Sequence, residues 1–290
     1  MPTFPIKITG IKRDSQFSFR RVADDEAIFS AVKSYLEENG CRVMIYTEDK
    51  FVTETPEEPY IFNMCRKNTS ISKLKKLENQ GNIVTNTGQA IENCRRINFT
   101  SLMRLNSLPC GESNIISTSG YKADEILKMG SNPVWIKRGD SQTAHPCDVI
   151  FCNDPQKLKF YIEDFYLRGV DKVVVSHHIE GYNIKFYGVR QQNFFYYIYH
   201  DSSKKDNNEM STHKISGNLK TINFALLKEL CFTTADILGV DVFGGDAIID
   251  REGGINIIDF NDWPSFKPCR EVAARHIGNA IIKKIKNNQL

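Results

Sequence analysis

Two short segments near the carboxyl end of the chain carry the side chains best suited to chemistry. Gly244-Gly245-Asp246-Ala247-Ile248-Ile249-Asp250 and Ile255-Asn256-Ile257-Ile258-Asp259-Phe260-Asn261 are apolar, β-branched runs. Arg251-Glu252-Gly253-Gly254 lies between them, the composition of a β-hairpin turn. Side chains alternate along a strand, so the odd positions Ile255, Ile257, Asp259 and Asn261 fall on one face. Asp246 stands on the neighbouring run, within reach of the same place. A carboxylate set into an apolar strand is costly unless a cation or partner compensates it. Three oxygen donors converging from paired strands suit a hard cation such as magnesium. The other reading of Asp and Asn at such positions is that they end strands and cap turns.

Three further groups are placed where chemistry is done. Pro133-Val134-Trp135-Ile136-Lys137-Arg138-Gly139-Asp140 reads as a strand that delivers Lys137 and Arg138 into a turn. A lysine in that position either points at an anion or snorkels to water. Lys172-Val173-Val174-Val175-Ser176-His177-His178-Ile179 is a second β-run, turned by Glu180-Gly181-Tyr182 into a returning strand on which Lys185 and Tyr187 share a face. Met64-Cys65-Arg66 ends an early strand, where ligands meet parallel sheets, so Arg66 is read either as a substrate contact or as a surface arginine.

The elements that must hold these groups follow from periodicity and breakers. Residues 6–95 alternate strand and helix patterns: a helix over 24–39 stopped by Gly40, strands at 41–46 and 60–65, an amphipathic helix over 70–80, and a short strand at 83–84. That alternation argues a small parallel-sheet domain. Helices are expected over 88–98, 99–108, 154–169, 221–238 and 270–287, with Phe160, Tyr161, Phe165 and Tyr166 of the third as core. Residues 194–199 continue the strand meander. The polar stretch 201–218 has the composition of a mobile loop.

Bulk properties restrict the class. At 290 residues the chain is long enough for about two domains, and 41% hydrophobic with 25% charged residues is an ordinary soluble composition. The net charge of +3, with Lys and Arg dispersed, makes no electrostatic case for nucleic acid. The eight cysteines include no Cys-x-x-Cys pair, so neither a disulfide framework nor a zinc site is expected. No apolar run is long enough to span a bilayer and no signal peptide opens the chain, which makes a reducing cytoplasm the expected location.

The ordered set says more than any single member. A βα domain, a strand lysine (Lys137), a β-turn-β with Gly181 and Lys185, and an Asp…Asp-x-Asn hairpin ending before Pro264 together resemble the ATP-grasp superfamily over essentially the whole chain. The most specific part is Gly245-Asp246-Ala247-Ile248-Ile249 to Ile258-Asp259-Phe260-Asn261-Asp262-Trp263-Pro264. The resemblance implies an α/β (α+β) ATP-grasp fold. Its parts would be an N-terminal parallel βα domain (1–95), a central subdomain (96–175) and a C-terminal subdomain with the metal site (176–290), the last two sandwiching ATP. It implies that Asp246, Asp259 and Asn261 hold one or two Mg2+ ions, and that Lys137 meets the phosphates. Ser176, His177, His178, Ile179 and Glu180 would form the adenine hinge, and Lys185 would face the phosphates or the second substrate. Lys185, Arg138 and Arg190 are the catalytic candidates it leaves.

Three departures from the family pattern stand out. The family's early lysine falls on Ile97, with Arg95 and Arg96 beside it as substitutes. No glycine-rich lid follows Lys137, although Arg138 and His145 could take over part of its phosphate contact. Asp259 stands where most ligases of the fold have Glu, a feature shared, like Gly181-Tyr182-Asn183-Ile184-Lys185-Phe186-Tyr187, with the inositol phosphate kinases of the fold. The expected function is Mg-ATP-dependent joining of a carboxylate to an amine through an acyl phosphate. A polyol or inositol phosphate kinase and a non-catalytic nucleotide-binding module are the alternatives. The expected partner is a small-molecule substrate rather than nucleic acid or membrane. A homodimer is left open.

Overall fold

The computed structural model describes residues 5–18, 21–120, 133–141, 145–200 and 223–288, so the loop expected over 201–218 lies outside the described residues. The strands among the described residues form three four-stranded sheets. The first is parallel, in the order β2-β1-β3-β4: β1 Ile6–Ile11, β2 Cys41–Tyr46, β3 Tyr60–Asn63 and β4 Ile83–Thr85. Its crossover helices are α1 Val22–Glu38, α2 Glu48–Thr53 and α3 Asn68–Asn79. A further helix, α4 Gly88–Asn93, leads away from the sheet. The βα alternation expected for residues 6–95 is thus present, with α1 starting two residues early. Ile8, Phe29, Val32 and Phe62 fill the core of this sheet.

The closing helix, Arg270–Asn287, belongs to the same core although it comes from the other end of the chain. Ala273, Ala274, Ile277 and Ile281 pack against it, and Gly278 lies so close to Tyr35 of α1 that a Cβ would stand 2.3 Å from the ring. Small residues at that crossing let the two helices approach closely.

The second sheet is antiparallel, in the order β5-β8-β6-β7: β5 Ser113–Ser117, β6 Val134–Arg138, β7 Val149–Cys152 and β8 Lys172–His177. Val134, Ile136, Cys152, Val173 and Val175 cover Leu158, Ile162 and Phe165 of the helix Pro155–Leu167. The four aromatics of that helix do not all face inward. Phe165 is buried and Tyr161 partly so, but Phe160 is 66% and Tyr166 55% exposed. At 100° per residue the apolar stripe runs through 158, 162 and 165, and positions 160 and 166 fall outside its arc.

The third sheet, β10-β9-β11-β12, comprises β9 Gly181–Val189, β10 Phe194–His200, β11 Val242–Asp250 and β12 Ile255–Asp262, all antiparallel. Phe186, Phe243 and Phe260 pack beneath it, Phe243 stacked on Phe260 with centroids 5.1 Å apart and Phe186 edge-on to Phe243. Each such ring contributes about 2–3 kcal/mol of burial. Helices α5 Arg96–Leu105 and Phe224–Leu238 close this core through Phe99, Met103, Leu227 and Cys231. Arg95 and Arg96, where α5 begins, are thereby carried to the third sheet.

A buried amide side chain is one of the links between the parallel sheet and the third. Asn86, 1% exposed, donates from Nδ2 to Val242 O (2.8 Å). Its Oδ1 accepts from the Asp241 and Val242 amides (2.9 Å each). Beside it Lys284 bonds both Val84 O (2.8 Å) and Asp241 (3.1 Å), so β4, β11 and the closing helix meet at one polar knot.

Candidate active site

The hairpin β11–β12 places the acidic residues by means of a bulge. Asp246 pairs with Asp259, whereas Ala247 pairs with Ile257, so Ile258 is an extra residue on β12. Without it, Asp259 and Asn261 would share the face of Ile255 and Ile257, which are core. With it, Asp259 and Asn261 turn into the cleft while Ile255, Ile257 and Phe260 stay inside. Period-two counting therefore keeps Asp259 with Asn261, but assigns them the wrong apolar companions. Gly245 is required next to this pair: a Cβ there would lie 2.2 Å from Asp259 O and 2.6 Å from the Phe186 ring.

Cations surround the two carboxylates. Lys185 pairs with Asp246 in the β9–β11 register, and its Nζ lies 3.3 Å from Asp246 Oδ1. Arg96, 4% exposed, sits 3.7 Å from Asp259 Oδ2 and donates to the carbonyls of Arg138 (3.3 Å) and Ser141 (3.2 Å). Its neighbour Ile97 packs against Gly139 and donates its amide to Gly139 O (3.1 Å). The buried cation at this point is thus Arg96, one position before Ile97. Of the two substitutes the sequence offers, Arg95 and Arg96, it is Arg96 that reaches Asp259.

Lys137 comes from the second sheet. Its Nζ donates to Ile258 O, the carbonyl of the bulged residue, at 3.1 Å. Burial lowers the lysine's pKa, Arg96 adds to that, and Asp259 and Asp246 oppose it. The sign for stability follows directly. Below the depressed folded pKa the fold carries the cost of a desolvated ammonium, and that cost fades as pH rises towards the unfolded value near 10.4. Lys137→Met should therefore raise the unliganded protein's stability by about 1 kcal/mol at neutral pH and abolish that alkaline rise. Urea denaturation at pH 7 and pH 10 checks both, and a variant less stable than the parent at pH 7 would refute it.

Asp246, Asp259, Asn261 and Lys185 line one wall of a cleft of about 720 Å3. A second wall comes from residues just beyond the carboxyl ends of β1 and β3. There the Arg66 guanidinium pairs with the Asp262 carboxylate and donates to Asp262 O (2.8 Å). Arg13 pairs with Asp25 (3.0 Å) and donates to Trp263 O (2.8 Å). The segment just beyond Asn261 is in this way strapped to the parallel sheet. Among the described residues, eight cationic side chains and five carboxylates line the cleft.

The other sequence candidates lie as follows. Arg138 lines the cleft but is bonded to Asp140 through Nε (2.6 Å) and Nη2 (3.1 Å). Arg190 is outside the cleft, bonded to Asp241 (2.7 Å) and Asp236 (3.0 Å) next to the Lys284 knot. Ser176 and His177 end β8, and His178, Ile179 and Glu180 link it to β9, away from the cleft lining. The His178 amide donates to Pro133 O (2.8 Å), and its Nδ1 accepts from Trp135 Nε1 (3.1 Å). Ile179 packs on Gly111, and Glu180 pairs with Arg251 at the surface (2.7 Å). Among the described residues no three His, Cys, Asp or Glu side chains gather as a metal cluster. The Asp246–Asp259–Asn261 set is two carboxylates and an amide, the oxygen chemistry of a hard divalent cation.

No family profile matches the chain, and no curated protein matches it in sequence. Solved structures do. A D-alanine–D-alanine ligase from Bacillus anthracis superposes with a TM-score of 0.75 at 12% identity, covering 98% of this chain and 99% of that one. The chain has the ATP-grasp fold. The D-alanyl-alanine synthetase A of Vibrio cholerae gives a TM-score of 0.72 at 10% identity, over 98% of this chain and 100% of the other. The ATP-grasp ligase PsnB, complexed with a minimal precursor, gives 0.66 at 13% identity, over 97% and 99%. The Bacillus enzyme is also known in complex with ATP, and PsnB with Mg and ADP. The α/β class read from the sequence and the resemblance to ATP-grasp proteins both agree with these likenesses. Among the described residues no helix is long and apolar enough to cross a membrane.

Proposed function

We propose that the protein is a Mg-ATP-dependent ligase that joins a carboxylate to an amine. The reading is carried by one observation: on an ATP-grasp fold, three distant segments bring Lys137, Arg96 and Lys185 around the Asp246–Asp259–Asn261 set. Bound Mg-ATP would supply the γ-phosphoryl group that makes a carboxylate oxygen a leaving group. Asp246, Asp259 and Asn261 hold the metal, Lys137 meets the phosphates, and Lys185 and Arg96 offset the charge on the transferring group. The backbone of 176–180 is the adenine hinge in this reading, which keeps the three-part organisation 1–95, 96–175 and 176–290.

The pairing of the basic side chains favours a carboxylate acceptor over a polyphosphate. Arg66, Arg138 and Lys185 each already face a carboxylate, and Arg190 points elsewhere. The cations beside Asp246 and Asp259 are thus already compensated, which suits a singly charged reacting group at that point of the cleft. Purified protein with Mg2+, γ-labelled ATP and fractionated metabolites tests the proposal. Label should be released as phosphate only when a carboxylate- and amine-containing fraction is added. Label on a stable polyol would make the protein a kinase instead, and no turnover with any fraction would make it a binding module.

A further inference from the structure

The wall of the cleft beside the parallel sheet is lined by arginines that the proposed reaction does not use. Arg13 and Arg66 form its floor, both with about 10% of the side chain exposed. Each has one carboxylate partner, Asp25 and Asp262, yet burial and the adjacent Arg66 push the Arg13 guanidinium down to about 10. Against the effect of burial, Asp262 holds the Arg66 guanidinium above its ordinary value, so it is Arg13 that lies in this desolvated floor with its charge least offset.

Two more arginines flank that floor with no carboxylate at ion-pair distance among the described residues, although Asp140 is within electrostatic reach of Arg95. Arg21 opens α1, three residues before the acidic first turn that holds Asp25, and is exposed on the cleft. Among the described residues no carboxylate lies within ion-pair distance of it. Arg95 opens α5 and donates to the neutral Asn68 amide, two residues beyond Arg66. The amino ends of α1, α3 and α5 all meet this wall, and their preceding residues are Arg21, Lys67 and Arg95. None of these three helices has a side-chain cap, whereas α2 and α4, which begin at Thr47 and Thr87, do. At α3 and α5, whose first turns carry no acidic residue, the helix ends add positive potential beside the arginines, whereas Asp24 and Asp25 offset it at α1.

We infer that this wall is a second anion subsite that holds the acceptor by a negatively charged handle, distinct from its reacting carboxylate. The acceptor is then a dianion, with one carboxylate delivered to the Lys185–Arg96 side and a carboxylate or phosphate monoester seated over Arg13 and Arg66 between Arg21 and Arg95. The inference rests on the ligase reading, since that reading places the reacting group.

The test measures binding by calorimetry at saturating Mg-AMPPNP. Probes are succinate, glutarate and adipate, the monoamide of each, and the carboxy-phosphonates of the same lengths. At least one dianion should bind about tenfold or more tightly than its monoamide. Arg21→Gln with Arg95→Gln should erase that preference while leaving the melting temperature within about 2 °C of the parent, as expected for exposed and half-buried side chains. A phosphonate preferred over the dicarboxylate identifies a phosphate handle, and the reverse a carboxylate one. Equal binding of dianion and monoamide, no dianion binding up to about 10 mM, or a preference that survives the double variant overturns the subsite. AMPPNP binding is measured first: its absence overturns the nucleotide reading, and the handle with it, whereas AMPPNP binding without dianion preference sinks the handle alone.

Discussion

Asp259→Asn is expected to abolish Mg2+-dependent turnover while leaving the protein folded. The substitution keeps the volume and one oxygen but removes the charge at the residue that faces Asp246 across the bulge. A carboxylate ligand to a phosphate-bridging cation is worth several kcal/mol of transition-state stabilisation, so about 4 kcal/mol, or about a thousandfold, should be lost. The fold should survive because Arg96, the cation beside Asp259, still donates to the Arg138 and Ser141 carbonyls. Circular dichroism and thermal melting establish the fold, and release of label from ATP across a magnesium titration establishes the loss. Full turnover at ordinary magnesium would refute the metal assignment. Turnover restored only at much higher magnesium would show a weakened ligand set and support it.

The largest effect on stability is expected at Asn86. Asn86→Ala removes three hydrogen bonds at once and orphans the amides of Asp241 and Val242, which are 4% and 0% exposed. Each buried group left without a partner costs about 1–3 kcal/mol, so a total near 4 kcal/mol follows, a large share of the stability of a typical domain. Urea denaturation should show the midpoint fall. Asn86 also joins the parallel sheet to the strand that carries Asp246, so the same variant should weaken nucleotide binding although Asn86 does not line the cleft. A loss below about 1 kcal/mol would mean that the junction is held by Lys284 and the helix packing rather than by this amide.

The acidic hairpin and the knot near Asn86 show why some of the protein is legible in its sequence and some is not. Local patterns are short-range physics. The alternation of strand and helix over residues 6–95, the stop at Gly40, the hairpin around Gly253-Gly254 and the pairing of Asp259 with Asn261 on one face all follow from neighbours in the chain. Lys137 could be singled out because a charged side chain near the end of an apolar strand is locally costly, and Lys185 because it shares a strand face with Tyr187 and matches the family pattern. The order of those signals along the chain was sufficient to suggest the ATP-grasp fold.

What only the tertiary structure decided is which charges meet. Arg138 and Arg190 look alike as strand-end arginines, yet one lines the cleft beside Asp140 and the other is bound to Asp241 and Asp236 outside it. Arg96 becomes a site residue because α5 packs on the third sheet, a contact between residues more than a hundred positions apart. The parallel sheet reaches Asp262 and Trp263 through Arg66 and Arg13, across separations of 196 and 250 residues. The bulge at Ile258 belongs with these. A single inserted residue reverses every side chain beyond it, and what selects that register is the burial of Phe260 below the sheet and of Ile255 and Ile257 beside it. Periodicity is written in the chain one residue at a time, whereas the face that meets water and the partner that meets a charge depend on long-range packing.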